Sequence, residues 1–161
     1  MDQTKEMNPE QQYTNVRHII SDGIILAVIV SFNENEIKPS NEISFFTPDT
    51  FSQQIGYMSR PKGYIIPPHV HNPVSREVLF TKEVLFIKSG KLRVDFYREN
   101  QSYIQSHIVK QGDILLLAHG GHGFEMIEPS EIIEVKQGPY AGDKDKTRFK
   151  GIDHSQALIK P

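Results

Sequence analysis

The sequence contains no cysteine. That excludes a disulfide framework, thiolate zinc sites and iron–sulfur clusters, and leaves histidine, carboxylate and water as the ligands available to any metal. A charge imbalance is also missing. With 18 basic and 20 acidic residues the formal net charge is −2, which gives no electrostatic footprint for nucleic acid. Long apolar runs are missing too: 24-IILAVIV-30 is the longest, far short of the ~20 residues a membrane span requires. Residues 1–15 are polar rather than signal-like. Helical periodicity is nearly absent, and only Asp153–Lys160 allows a short helix. These absences predict a cytoplasmic protein whose partners are small molecules or further subunits, with no nucleic acid and no membrane.

What is present is a period of two. Apolar residues are 37% of the 161, enough for one domain to bury most of its own apolar surface. Short β-branched and aromatic runs alternate with turn residues every eight to twelve positions, the rhythm of an all-β barrel or sandwich. After a polar leader (1–15), Val16–Ile20 and Gly23–Phe32 flank a turn in which Asp22-Gly23 supplies positive φ angles. Asn33–Asn41 reads as a loop. Further strands are expected at Ile43–Phe46, Phe51–Met58, Gly63–Val70, Glu77–Lys88, Lys91–Tyr97, Ser102–Val109, Asp113–Ala118, His122–Ile127 and Glu131–Gln137.

Chemistry concentrates in three places. In 63-GYIIPPHVH-71, an extended backbone projects His69 and His71 from one face, where the two imidazoles could share an ion. Glu83 opens the apolar run Val84–Ile87 and shares a face by parity with Leu85 and Ile87. A carboxylate on an inner face needs a cation or hydrogen-bond donors. Glu77 follows Arg76 in a loop and is the weaker candidate. In 112-GDILLLAHGGHGFEMIE-128, His122 begins a strand with Phe124 and Met126 on its own face as apolar lining, whereas His119 sits in the glycine-rich turn. His18, His107 and His154 have no partner pattern and read as surface or packing residues.

These residues resemble the cupin superfamily. Its first motif is matched by Gly63, His69-Val70-His71, Glu83 and Gly90, with eleven residues between His71 and Glu83 where the family has three or four. The second motif is looser: Gly112 fits, Ala118 replaces a proline, His122 arrives one residue early and Met126 takes the final position. The resemblance implies a cupin double-stranded β-helix, a jelly-roll barrel with extra N-terminal strands and a short C-terminal segment. It divides the chain into the leader, a single cupin domain over 16–150 with its metal-binding core at about 51–137, and a tail over 151–161. It also implies one divalent ion (Fe, Mn, Ni, Zn, Co or Cu) held by His69, His71, Glu83 and His122, with positions open for water or substrate. The stretch 132-IIEVKQGPYAGDKDKTRF-149 is similar to the end of the cupin domain of bifunctional mannose-6-phosphate isomerases, through Glu134, Gly138, Tyr140, Gly142, Asp143, Asp145 and Arg148. Lys136, Lys144 and Lys146 depart from that pattern. The likeness implies a sugar or sugar-phosphate ligand; the mixed-charge loop 142-GDKDKTRFK-150 reads either as a solvated capping segment or as a phosphate site built from Lys144, Lys146 and Arg148.

Three roles follow. One is a metal-dependent sugar isomerase or epimerase of polysaccharide biosynthesis, in which Glu77 or Tyr64 shuttles the proton, Arg76 lies over the site, and Phe124 and Met126 line it. The second is an Fe(II) dioxygenase. The third is a non-catalytic small-molecule-binding cupin. Apolar residues on both faces of 23-GIILAVIVSF-32 exceed what one small barrel buries, and predict a homodimer.

Overall fold

The computed structural model describes residues 16–32 and 43–161. The leader 1–15 and the loop expected at Asn33–Asn41 lie outside the described residues. The fold is nearly all β. Its strands are β1 (Val16–Ser21), β2 (Ile24–Val30), β3 (Ser44–Phe45), β4 (Gly56–Tyr57), β5 (Glu83–Ser89) and β6 (Lys91–Tyr97). They continue with β7 (Tyr103–Lys110), β8 (Ile114–Leu117), β9 (Gly121–Met126), β10 (Glu131–Lys136) and β11 (Ile159–Lys160). Among the described residues no helix is long and apolar enough to cross a membrane.

Two sheets form the body. One has the order β1-β2-β8-β5-β10 and is antiparallel throughout, and the other has the order β11-β7-β6-β9. No ladder joins them, so they do not close into a barrel. The β1–β2 hairpin turns where the sequence places it: Asp22 has φ 52° and Gly23 φ 77°, the left-handed pair that matches the twist of the flanking strands.

The core lies between the sheets. Leu85 and Ile87 on β5, Leu115 and Leu117 on β8, and Leu92 and Val94 on β6 are all buried in it. A second apolar cluster covers the other face of the first sheet, where Val28, Val30 and Leu116 pack against Phe46 and Ile55. Strand β2 is therefore buried on both faces, and Ala27, Val28 and Ile29 are wholly inaccessible. The chain's own residues 46–55 cover the outward face of β2, so the apolar excess there does not require a second subunit.

Four expected elements differ, the first being Phe51–Met58, which is a strand only at Gly56–Tyr57. Gly63–Val70 is not a strand, and residues 61–80 form no regular structure and are exposed throughout. Pro61, Pro67, Pro68 and Pro73 have no amide hydrogen to give to a ladder. The strand expected over Glu77–Lys88 begins at Glu83, where the pairing partners Leu117 and Lys136 on β8 and β10 run out. The helix expected at Asp153–Lys160 is a single 3-10 turn, His154–Gln156, followed by β11. There the open edge of β7 captures the chain, with Ile159 opposite Ser106 and Lys160 opposite His107.

Candidate ligand-binding site

At one side of the sandwich the sheets end in β10 and β9, and among the described residues no strand pairs these two edges. The space between them is a cavity of about 900 Å³, within the range of small-molecule sites. Parity decides what points into it. On β5, Glu83 follows the buried Leu85 and Ile87 to the inner face. On β9, His122 lies opposite Phe96 and Phe124 opposite Val94, both buried core residues. On β10, Glu134 lies opposite Leu85.

Glu83 and His122 meet at the floor. The imidazole Nε2 of His122 is 3.2 Å from Oε2 of Glu83, with side-chain exposures of 30% and 15%. Hydrogen bonding to His122 holds the Glu83 carboxyl below its ordinary range, against the desolvation that raises it, with help from the charges of Lys136 and Lys146. Leu85, Leu117, Phe124 and Ile132 give the cavity an apolar wall. His119 lines the mouth, its ring 5.3 Å from that of Phe80. Gly120, at φ 70°, lets the turn pass against the Tyr97 carbonyl, where a Cβ would collide.

The C-terminal segment straps the open side. Asp145 accepts a hydrogen bond from Thr81 Oγ1 at 2.6 Å and lies 3.4 Å from Lys136 Nζ, which ties the strap to the first sheet. Phe149 stacks edge-on against Tyr97 at 5.1 Å, and the Ile152 amide donates to the Tyr97 hydroxyl at 3.0 Å, which ties it to the second. Between these anchors Lys146 and Arg148 line the cavity as exposed cations. Farther on, His154 Nδ1 lies 2.9 Å from Glu125 Oε1, and Glu125 also pairs with the buried Arg93.

The residues proposed from sequence divide into two groups. Glu83, His122, Phe124, Lys146 and Arg148 line one cavity, and Lys144 is not among its lining residues. His69, His71, Tyr64, Arg76 and Glu77 stand on the exposed segment 61–80 and do not line it, and Met126 lies farther along β9, opposite Leu92. The rings of His69 and His71 meet edge to face at 5.2 Å, and Nδ1 of His69 lies 3.1 Å from the Pro67 carbonyl. The four implied metal ligands thus form two separate pairs, Glu83 with His122 and His69 with His71. Among the described residues no group of three or more His, Asp or Glu side chains stands close enough to hold an ion.

Glu134, His119 and Thr81 enter the site without having been chosen from sequence. Glu134 was legible in principle, because alternation from Ile132 puts it on the inner face. The others depend on which loops meet at the mouth, which no local pattern encodes. No family model, curated protein or solved structure matches the chain.

Proposed function

We propose that the chain is a cupin-like protein that binds a small polar ligand carrying an anionic group, of the sugar-phosphate class, between its two sheets. One observation carries the reading: a single cavity joins the Glu83–His122 pair, an apolar wall, and the two cations Lys146 and Arg148 at its rim. An anion would pair with the cations, and the polar body of a sugar would find hydrogen-bonding groups in Glu83, His122 and Glu134.

For isomerisation or epimerisation a proton must be moved within hydrogen-bond reach of the substrate. Tyr64 and Glu77 stand away from the cavity, so that role falls to His122, with Glu83 fixing its orientation. Calorimetric titration tests the binding. A hexose phosphate should bind saturably and more tightly than the free hexose, and a combined Lys146→Ala/Arg148→Ala variant should lose about tenfold or more in affinity. Equal affinity for phosphorylated and free sugar, or an unaffected variant, would refute the reading.

The divalent ion is a second reading, favoured by the half-buried carboxylate against an imidazole at 3.2 Å. It requires donors beyond these two. Elemental analysis decides it: about one equivalent in the chain, lost on His122→Ala, supports an ion, and equal content in both removes it. Oxygen uptake in the presence of iron is the corresponding test of the dioxygenase alternative.

A further inference from the structure

Residues 61–80 are a long excursion from the fold. They form no regular structure and are exposed throughout, with Ile65 at 78%, Val70 at 85% and Leu79 at 77%. Among the described residues no backbone hydrogen bond joins 65–79 to another part of the chain. Connections of this length inside a compact domain are uncommon, and the ordered ones usually serve as lids or binding loops. Pro61, Pro67, Pro68 and Pro73 stiffen this one, which lowers the entropy lost when it takes up a fixed position.

The root of the excursion limits what it can cover. It re-enters the fold at Phe80 and Thr81, and both line the cavity. Beyond them the chain is held. Thr81 Oγ1 donates to Asp145 at 2.6 Å, and the Lys82 amide donates to Gln137 Oε1 at 3.0 Å while its carbonyl accepts from the Gln137 amide at 3.3 Å. Bending is therefore confined to residues before Thr81. At the other end the Tyr64 amide closes a turn on the Pro61 carbonyl, with Gly63 at φ 85°. The rim carries apolar surface of the same kind as the excursion: Phe80 and Phe124 line the cavity while 52% and 37% exposed. Reach is sufficient, since the chain from Val70 to Phe80 spans up to about 33 Å when extended, against roughly 10 Å for the width of a space of about 900 Å³.

We propose that residues 61–79 are a lid that closes over the cavity of their own chain when ligand binds, bending at Phe80 and laying Ile65 and Val70 on the apolar rim. The inference rests on the cavity being the ligand site. Ligand in the cavity gives the lid a continuous surface to pack on, and that differential contact favours the closed position. Closure buries aliphatic side chains that are otherwise bare. It also excludes water from the Glu83–His122 pair, which strengthens the pair's interactions with whatever is bound.

Amide hydrogen exchange of the unmodified chain, with and without mannose-6-phosphate, tests the lid. Saturating ligand should slow exchange across 65–79 by about tenfold or more, to the same extent at every protein concentration, with calorimetry on the same samples giving the fraction bound. An Ile65→Ser/Val70→Ser variant, altered only at exposed positions, should keep its melting temperature and lose that protection. Ligand that binds by calorimetry yet leaves 65–79 exchanging freely overturns the lid and leaves the cavity assignment standing. A variant that keeps the protection overturns the apolar seat. Protection that rises with protein concentration assigns the contact to a second copy and overturns closure within one chain. No binding at all removes the cavity reading and the lid with it.

Discussion

Glu83 is a carboxylate at the rim of an apolar core, and its partner decides what it contributes. Its pKa is lowered in the folded chain, so the unfolded chain binds this proton more readily. The stabilisation is present above the ordinary value of 4.5 and is lost as pH falls through the folded value. Glu83→Gln should therefore cost about 1 kcal/mol near neutral pH and almost nothing in strong acid. Urea unfolding at the two pH values checks this, and an equal cost at both would contradict the pairing. His107 acts in a different window. Burial, with the charges of Arg17 and Lys160, pushes it down to about 4 from 6.5, and its Nδ1 is buried without a partner. Between those values the unfolded chain takes up a proton that the folded chain refuses, so stability falls as pH drops through the window. His107→Leu should flatten that fall, as read from urea midpoints across the range. At this scale the sequence made Glu83 and His122 legible, because strand parity fixes the side each faces. It misread His107 as routine only in part: packing residue was right, but nothing local shows that its second nitrogen is left unpaired.

The elements that alternate cleanly were legible to within two residues. Strands β1, β2 and β6 to β10 carry β-branched and aromatic residues at every second position or in buried runs, and the turns between them carry Asp-Gly, glycine, Asn or Pro. Gly23→Ala tests one such turn. With φ 77° and nothing within 4 Å of its absent Cβ, the cost is backbone strain alone, about 1 kcal/mol, seen as a lower melting temperature. A cost near zero would show that the hairpin adapts its turn. The segment holding His69 and His71 was not legible, for a physical reason. Spacing fixes which face two side chains share in a strand, but not whether the strand finds a partner, and the prolines on either side remove amide donors. The tail was misread similarly. Its residues satisfy a short amphipathic helix, yet the free edge of β7 offers backbone partners that a helix of so few residues cannot match.

At the scale of the whole molecule, the cavity follows from two sheets whose edges part at β9 and β10 and from a C-terminal strap that crosses the opening. The strap is anchored by Asp145 on one sheet and by Tyr97 contacts on the other. Asp145→Ala should free the first anchor and speed amide hydrogen exchange across residues 142–150 while leaving the core strands unchanged. Exchange that rises uniformly over the chain would instead show that the strap is part of the cooperative core. The cavity itself was only half legible in the sequence. Glu83, His122, Phe124 and Arg148 could be chosen from parity and resemblance, but the joining of strap to mouth is a tertiary fact. The central claim is that this cavity is where the ligand binds, and histidine imidazole resonances followed by NMR during titration with a hexose phosphate test it most directly. The resonances of His122 and His119 should move saturably while His18, whose Nε2 contacts the Phe46 carbonyl at 3.1 Å on β1, stays fixed. Binding that leaves His122 and His119 unmoved would contradict it.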